Sequence, residues 1–529
     1  MLETTRARRG MVTASHHLAA EAGLAVLREG GNAIEAMIAA AATISVVYPH
    51  MNGLGGDGFW LISADGAAPA AIQGVGASGA AVTPALYRQQ GLDSIPVRGP
   101  LAANTVAGTV SSWQAALEIS AAWGGRLPLA RLFADAIHYA ESGFPISNGQ
   151  HANTRDKQEE LAEIPGFADL FLVDGAPPRP GATFRNPALA GSLRHLAEAG
   201  LDDFYRGRLA ATIAADLARA GSPLTAADLA AHRSARVTPL ALRLRDATVY
   251  NHPPPTQGLA SLMILGLFER LGCKEAEGFH HLHGLIEATR LAFAVRDAEI
   301  TDPAHMRVDP GAYLTAETLD RLAATIDMER TTERAAVPRP GDTVWLGAVD
   351  GAGRTVSFIH SIYWEFGSGV VLAESGITWQ NRGASFALDG DAANPLAPGR
   401  LPFHTNNPAM ARFDDGRIMA YGTMGGDGQP QTQAALFTRY ARFEQELQRA
   451  VTAPRWLLGR TWGERTSRLR IEPRVGQAVL DALRLARHDV EIVDDFNPLM
   501  GHAGAVVRHP SGLIEGAADP RDDGRAAGF

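Results

Sequence analysis

Thr343 is the residue whose position could support nucleophilic catalysis. It follows Asp342 at the end of a linker-like segment, 328–342, which shows neither helical nor strand periodicity, and the residues after it, TVWLGAVD, predict a strand. A threonine hydroxyl is a weak nucleophile unless a base lies beside it. Chain cleavage before Thr343 would supply that base, because a free α-amine has a pKa of about 8 and is partly neutral at physiological pH.

Such a mechanism also needs backbone N–H groups that stabilise an oxyanion. The turn 422–428, GTMGGDG, lies between a predicted strand, RIMAYG, and a predicted helix, QTQAALFTRY. Gly425 and Gly426 have no side chains to shield their N–H groups, which makes them candidates for an oxyanion hole. From these motifs alone, an ordinary strand start and a plain turn remain the simpler explanations.

Nucleotide and Schiff-base chemistry lack their sequence requirements. The turn 53–58, GLGGDG, precedes a predicted strand instead of following one, and the turn 422–428 lacks the glycine spacing of a dinucleotide loop. The only lysines are Lys157 and Lys274, both in polar segments. Since a Schiff base and a phosphate loop each need a positioned lysine, we expect no cofactor.

Metal chemistry is disfavoured in the same way. The single cysteine, Cys273, excludes an internal disulfide and a multi-cysteine metal centre. The adjacent histidine pairs 16–17 and 280–281 cannot converge on one helix face, and His283 has no carboxylate motif beside it. Hydrogen-bonded or solvated histidines explain these positions better, and we expect no metal.

The composition is that of a globular, enzyme-sized chain, with 529 residues of which 46% are hydrophobic and 20% charged. A net charge of -9 disfavours general nucleic-acid binding, which needs a basic face. The apolar run 36–47 is too short to span a bilayer, and the N-terminus has positive charges without an apolar stretch behind them. We expect a cytoplasmic protein that binds neither nucleic acid nor membrane.

The elements that must position these residues change in character at Thr343. Before it the pattern is mostly helical, with two helices in 16–48 and others at 112–122, 129–142, 186–199, 207–219, 225–231, 257–272 and 279–299. After it, TVWLGAVD and TVSFIHSIY predict a hairpin, GVVLAESGITWQN and RIMAYGTM predict more strand, and a helix is predicted at 431–449. A sandwich of sheets flanked by helices, shared by both parts, fits better than two independent domains.

The chain resembles the γ-glutamyltransferase family of N-terminal-nucleophile hydrolases. The matching segments follow the family order over nearly the whole length: GMVTASHHLAAEAGLAVLREGGNAIEAMIAAAA, YPHMNGLGGDGF, TVAGTVSSW, FYRGRLAATIAADL, SPLTAADLAAHR, NHPPPTQG, LIEATRLAFAVRDAEITDP, VDGAGRTVSFIHS, FGSGVVLAESGI, GTMGGDGQ, TAPRW and ADPRDDGRAAG. The resemblance implies an α+β fold, an αββα four-layer sandwich, made as an inactive precursor. Cleavage between Asp342 and Thr343 would give a large, helix-rich fragment, 1–342, and a small fragment, 343–529, within one intertwined domain.

The resemblance also implies roles for individual residues. Thr343 would be the nucleophile and, through its amine, the base, with Ser361 supporting it. Gly425 and Gly426 match the paired glycines of the oxyanion hole. Arg98, in PVRGPLAAN, matches an arginine that binds the α-carboxylate of the substrate.

Four pocket residues depart from the family pattern. His404 and Thr405 fall where a pair of serines usually lines the pocket, and Tyr363 replaces a substrate-contacting asparagine. Ser385 stands where an aspartate pairs with the α-ammonium of a glutamyl substrate. Loss of that partner would leave a buried ammonium uncompensated, at a cost of about 3–5 kcal/mol.

A small carboxylate without an amine therefore fits the pocket better than a glutathione-like substrate. The sequences SIYWEFGSG and QNRGASF resemble a subgroup of oxamate amidohydrolases, which convert oxamate to oxalate and ammonia. A γ-glutamyl hydrolase or transpeptidase with an altered pocket stays open, as does a binding protein of the same fold that never processes. The partners expected are a small-molecule amide and the two associating fragments, in a homodimer or a heterotetramer.

Overall fold

The computed structural model describes residues 2–64, 67–332, 341–459 and 468–529. Most of the linker-like segment, residues 333–340, thus lies outside the described residues. In chain order the strands are β1 Thr5–Ala7, β2 Met11–Ala14, β3 Asp57–Ser63, β4 Ala70–Gly74, β5 Phe144–Pro145, β6 Thr183–Phe184, β7 Ala235–Val237, β8 Leu240–Arg243, β9 Ala247–Asn251, β10 Asp342–Val349, β11 Thr355–Tyr363, β12 Ala409–Phe413, β13 Ile418–Gly422, β14 Trp456–Leu458, β15 Leu469–Ile471, β16 Val490–Ile492, β17 Gly504–Arg508, β18 Ile514–Ala518 and β19 Arg525–Gly528.

The helices cover most of the ranges that the sequence predicts. In chain order they are α1 His17–Arg28, α2 Ala33–Val47, α3 Pro84–Arg88, α4 Thr109–Ala122, α5 Leu129–Leu132, α6 Ala134–Ser142, α7 Asn148–Leu161, α8 Phe167–Phe171, α9 Pro187–Ala199, α10 Asp203–Arg206, α11 Arg208–Ala220, α12 Ala226–Ala231, α13 Gly258–Arg270, α14 Phe279–Glu299, α15 Ala316–Ala323, α16 Gly428–Phe437, α17 Leu447–Thr452 and α18 Gln477–Leu485. Among the helices of the described chain, none combines the length and the apolar character that crossing a bilayer requires.

Two seven-stranded sheets form the centre of the structure. Their strand orders are β1-β18-β17-β13-β12-β9-β8 and β19-β2-β10-β11-β3-β4-β7, and every pairing within them is antiparallel. Each sheet combines strands from before and after Thr343. The two parts of the chain therefore share both sheets.

The layers follow from three apolar clusters. Met11, Phe59, Trp345 and Val506 belong to the cluster between the two sheets. A second cluster packs α1, α2 and α4 on the outer face of the sheet that contains β10, and a third packs α13 and α16 on the outer face of the other sheet. The expected αββα four-layer sandwich is confirmed.

The predicted hairpin at Thr343 is confirmed as β10 and β11, which pair antiparallel. Along β10 the side chains alternate, since Val344 packs under the helices and Trp345 enters the space between the sheets. Trp345 fits there because glycines face it: a Cβ on Gly422 would lie 2.2 Å from its indole ring. The pairing register shifts between 342 and 344, where the two β11 residues 361 and 362 lie opposite the single residue Thr343, so the bulge is on β11.

Three expectations about elements need correction. The segment 369–381, predicted as strand, is a loop with isolated bridges, because Gly369 and Gly376 adopt φ of 79° and 69° and interrupt the pleat. The helix predicted at 431–449 is broken, since α16 ends at Phe437 and α17 begins at Leu447. The sequence of α7, NGQHANTRDKQEEL, has too few apolar residues to give a periodic signal, so this helix was not predicted.

Candidate active site

The hydroxyl of Thr343 lies at the centre of a buried polar cluster between the two sheets. Thr343 is fully buried, and its Oγ1 donates to Asn406 Oδ1 at 3.0 Å and accepts from Gln429 Nε2 at 3.4 Å. Asn406 precedes β12, and Gln429 is the second residue of α16. Both partners thus come from the chain before β12 and after β13, two strands of the sheet opposite β10, and neither was identified from the sequence.

The peptide bond that joins Asp342 to Thr343 is held by Ser361. Ser361 Oγ, on β11, donates a short hydrogen bond to the carbonyl oxygen of Asp342 and accepts from the backbone N–H of Tyr363 at 2.7 Å. A donor on this oxygen draws electron density from the carbonyl carbon and favours attack on it. Tyr363 lies opposite Asp342 in the hairpin and has a φ of 83°, in the left-handed region that a bulky side chain rarely adopts.

The side chain of Asp342 lies in an unfavourable environment. Burial raises the pKa of its carboxyl group well above the ordinary value, and the negative charge of Glu365 raises it further. The positive charges of Lys157 and Arg98 act in the opposite direction. The carboxyl oxygens of Asp342 accept no hydrogen bond from the described chain.

The second glycine turn leads directly into the helix that contacts Thr343. Gly425 and Gly426 are buried and have φ of 103° and 34°, so both lie in the left-handed region that favours glycine. Gln257 Nε2 donates to the carbonyl oxygens of Gly426 at 2.7 Å and Thr405 at 2.8 Å, which ties the turn to the segment before β12. The turn therefore adjoins the N-terminus of α16, where backbone N–H groups favour an anion.

The first glycine turn supplies Asp57, which organises the segment that contacts Thr343. Asp57 Oδ2 accepts from His404 Nε2 at 3.1 Å, and His404 Nδ1 accepts from the N–H of Asn406 at 3.3 Å. A chain of hydrogen bonds thus runs from Asp57 through His404 and Asn406 to the Thr343 hydroxyl. His404 is neutral in this chain, because burial lowers its pKa well below the ordinary value.

Asp57 itself is tightly held. Its Oδ1 accepts from the N–H groups of Gly76 and Gly108 at 3.1 and 3.0 Å and from Gln380 Nε2 at 3.2 Å. Burial raises its pKa to about 7, although the positive charge of Arg382 and these hydrogen bonds act in the opposite direction. The carboxyl group is thus fixed in one orientation toward His404.

The glycines of the first turn permit close backbone contact with β11. A Cβ on Gly56 would lie 2.1 Å from the carbonyl oxygen of Ser361, and a Cβ on Gly55 would lie 2.2 Å from that of Thr378. This turn follows α2 and precedes β3, the reverse of the order in a dinucleotide-binding loop. Its glycines are therefore explained by packing against the residue that holds the Asp342 carbonyl.

The pocket residues expected from the sequence differ in how closely they join this cluster. A Cβ on Gly341 would lie 2.9 Å from Thr405 Oγ1 and 3.4 Å from the Tyr363 ring, so both line the chain just before Asp342. Arg98 is nearly buried and adjoins Glu365, at 3.8 Å. Ser385 is half-buried at the end of a short 3-10 helix, Arg382–Ser385, and has no recorded contact with the residues around Thr343.

One group in the described part of the chain has the geometry to hold a metal ion, formed by His283, Glu287 and His488. His283 and His488 hydrogen-bond to each other at 2.8 Å, and Glu287 accepts from the hydroxyls of Thr331 and Thr332, each at 2.6 Å. These hydrogen bonds account for the cluster without an ion. His283 is hydrogen-bonded, as expected from the sequence, but the expectation that no carboxylate accompanies it was wrong, because Glu287 lies one helical turn further along α14.

The sequence profile of the γ-glutamyltranspeptidase family matches residues 19–529. The chain belongs to this family. It is 56% identical over 521 residues to the oxamate amidohydrolase proenzyme of Klebsiella pneumoniae, covering 98% of each chain. It is also 41% identical over 522 residues to a glutathione hydrolase-like proenzyme, YwrD, of Bacillus subtilis, again covering 98% of each.

Solved structures agree with this assignment. The crystal structure of a cephalosporin acylase from Bacillus halodurans superposes with a TM-score of 0.91 at 33% sequence identity, covering 100% of this chain and 97% of that one. The γ-glutamyltranspeptidase of Helicobacter pylori matches with a TM-score of 0.56 at 26% identity, over 60% of this chain and 92% of that one. The expectations of an N-terminal-nucleophile hydrolase fold and of an amidohydrolase of this family are confirmed.

Proposed function

We propose that the protein is an autoprocessed amidohydrolase that converts a small carboxylate-bearing amide, such as oxamate, to oxalate and ammonia. The observation that carries this proposal is the buried Asp342–Thr343 peptide bond, whose carbonyl accepts from Ser361 while the Thr343 hydroxyl is held by Asn406. The printed name of the Klebsiella relative, an oxamate amidohydrolase proenzyme, supports both the processing and the substrate class.

Processing would begin with attack of Thr343 Oγ1 on the carbonyl carbon of Asp342. The C–N bond breaks, the threonine nitrogen takes the hydroxyl proton, and an ester replaces the peptide bond. Water then hydrolyses the ester, which leaves a carboxylate on Asp342 and a free α-amine and hydroxyl on Thr343. The products are the fragments 1–342 and 343–529, which stay associated through the shared sheets.

Catalysis would repeat the same attack on an external amide. The α-amine of Thr343 accepts the hydroxyl proton as Oγ1 attacks the amide carbon, and the N–H groups of Gly425 and Gly426 stabilise the oxyanion. The amine returns its proton to the leaving nitrogen, which departs as ammonia. Water then attacks the acyl-enzyme and releases the dicarboxylate, with Ser361 orienting Thr343.

The pocket around the acyl group would be lined by Tyr363, His404 and Thr405, with Ser385 in place of an acidic partner for an ammonium. The family resemblance offers Arg98 as the residue that binds the carboxylate. The name of the YwrD relative favours glutathione-like amides as the second candidate substrate class. A homodimer or a heterotetramer of fragments stays a prediction, which light scattering can test. A cytoplasmic location also stays a prediction, which cell fractionation can test.

Two measurements test the proposal. On a denaturing gel the purified protein should separate into a large and a small fragment, whereas Thr343→Ala should stay whole; an intact wild-type chain after prolonged incubation would leave only a non-processing binding protein. Ammonia release from oxamate should exceed release of the aniline from a γ-glutamyl anilide. Preference for the anilide would favour the γ-glutamyl hydrolase instead.

A further inference from the structure

Arg382 is a buried arginine that the sequence analysis did not assign to the site. It opens the 3-10 helix Arg382–Ser385 and is fully buried. The two residues before it are fixed by their side chains: Gln380 Nε2 donates to Val106 O at 2.8 Å, and Asn381 Nδ2 donates to Val97 O at 2.8 Å. The backbone that leads into Arg382 is thus held in place by two side-chain hydrogen bonds.

The guanidinium of Arg382 is incompletely paired. Nη1 donates to Thr405 Oγ1 at 3.3 Å, and the Cζ atom lies 3.8 Å from the centroid of the Tyr363 ring. Within the described residues, Nε and Nη2 have no hydrogen-bond partner. Burial lowers the pKa of Arg382 to about 10, although the negative charge of Asp57 acts in the opposite direction.

Arg382 lies on the acyl side of the bond that Thr343 would attack, not on the side of Thr343 itself. Thr405 and Tyr363, its two contacts, line the chain at Gly341, immediately before Asp342. In processing, Thr343 Oγ1 attacks a carbonyl carbon that is bonded to Asp342 Cα. In oxamate the attacked carbon is bonded to the carboxylate carbon instead, so the carboxylate would take the place of Asp342 Cα, beside Tyr363 and Thr405.

Arg98 has more partners within the protein than Arg382, although its Nη2 makes no hydrogen bond in the described chain and lies 3.8 Å from Glu365 Oε2. Its Nη1 donates to the carbonyl oxygens of Glu365 and Gly367 at 2.7 and 2.5 Å, and its Nε donates to Glu160 Oε1 at 2.8 Å. A carboxylate ligand would therefore have to compete with acidic and carbonyl groups at Arg98. At Arg382 it would meet two N–H groups without partners in the described chain.

We propose that Arg382 binds the carboxylate of the substrate in the processed enzyme and thereby selects small α-carboxylate amides. This inference rests on the proposed function. A bidentate arginine–carboxylate pair is the geometry that an arginine side chain serves best, and the pair would supply the missing partner of a buried cation. Arg382, the third residue of QNRGASF, would then define the substrate class.

Binding of oxalate tests the inference without turnover. The probe is sodium oxalate, titrated by calorimetry into processed wild type, Arg382→Met and Arg400→Met. Arg400 is a matched control, because it too is nearly buried and its Nε makes no hydrogen bond in the described chain. Its Nη2 donates to Thr301 Oγ1 instead of a residue beside Thr343. We expect the Kd of oxalate to rise at least about thirtyfold in Arg382→Met, the effect of truncating one partner of a buried charged pair, and to change less than about twofold in Arg400→Met.

Kinetics with a charged and a neutral amide give the second readout. Arg382→Met should lose kcat/KM on oxamate, mainly through KM, while its rate on neutral oxamide relative to wild type should change far less. If Arg382→Met fails to process, Arg382→Lys replaces it, with a smaller loss that is again confined to oxamate. Equal losses on both amides would overturn the inference, as would unchanged oxalate binding or a loss of oxalate binding only in Arg98→Met.

Failure of the inference and failure of the proposed function are distinguishable. If wild type hydrolyses oxamate and Arg382→Met has the same kcat/KM, only the role of Arg382 is refuted. Wild type that binds oxalate through Arg382 but releases no ammonia from oxamate would refute the proposed function and leave the carboxylate site standing.

Discussion

Replacement of Ser361 by alanine should trap the precursor. Ser361 Oγ is the donor recorded on the Asp342 carbonyl oxygen, which becomes the oxyanion when Thr343 attacks. Loss of one such donor typically costs about 2.7–4 kcal/mol, or a hundredfold to a thousandfold in rate. The Tyr363 N–H also loses its acceptor, which destabilises the turn by about 1–3 kcal/mol.

The assay is the conversion of intact chain to fragments on a denaturing gel. We expect wild type to be isolated as fragments of 342 and 187 residues, the latter being 529 minus 342. Ser361→Ala should be isolated as one chain that converts at least about a hundredfold more slowly. Ser361→Thr, which keeps the hydroxyl, should process far faster than the alanine variant.

Ser357→Ala is the matched control for this experiment. Ser357 lies on the same strand and accepts from Trp345 Nε1 at 2.9 Å, between the sheets and away from the Asp342 carbonyl. Its loss should lower stability without slowing processing. If Ser361→Ala processes as fast as Ser361→Thr, the serine is not the group that activates the Asp342–Thr343 bond.

Three further changes probe the supports of the site. Gly56→Ala should impair folding and processing together, since its Cβ would lie 2.1 Å from the Ser361 carbonyl oxygen and overpacking costs about 1–3 kcal/mol or more; thermal unfolding and the gel measure this. Asp57→Asn should lower kcat/KM for ammonia release about tenfold to hundredfold, the loss of one buried charged hydrogen bond. Asp342→Asn, placed in non-processing Thr343→Ala, should stabilise the precursor increasingly as the pH rises above about 4, the ordinary pKa of an aspartate. The raised pKa of Asp342 means that the folded chain holds its proton longer than the unfolded chain, so stability falls with rising pH by at most about 1.4 kcal/mol per pH unit.

Each of these outcomes has a control. Gly53→Ala should be tolerated, because the nearest heavy atom to its Cβ would be 3.8 Å away. Retention of full activity by Asp57→Asn would show that the hydrogen bonds through His404 do not position the nucleophile. Parallel stability curves from pH 5 to 8 with and without Asp342 would contradict the pKa shift of its carboxyl group.

The elements with complete local signals were predictable from the sequence. The N-terminus of α2 carries such a signal, because the Asn32 side chain accepts from the N–H groups of Ile34 and Glu35 in a capping box with Glu35. The hairpin at Thr343 has alternating residues around a glycine-containing turn. In both cases the deciding interactions lie within a few residues along the chain.

The residues that complete the site are brought together only by the fold. Asn406 lies in the segment before β12 and Gln429 in α16, 63 and 86 residues from Thr343 in sequence, and the sequence analysis assigned a role to neither. One signal was available, since both glycine turns contain GGDG. The two aspartates act alike: Asp57 orients His404, and Asp427 pairs with Arg296 at 2.6 Å.

Several features make the uncut chain less favourable at the point where it is to be cut. β11 bulges opposite Thr343, Tyr363 opposite Asp342 holds a left-handed backbone at a cost of about 1–3 kcal/mol, and the Asp342 carboxyl is buried near Glu365. The surrounding sandwich holds these features in place, because β10 is paired on both sides. Cleavage would free Asp342 to leave its buried position while the sheets keep Thr343 in place, so the strain favours the processed form and the fold retains the nucleophile.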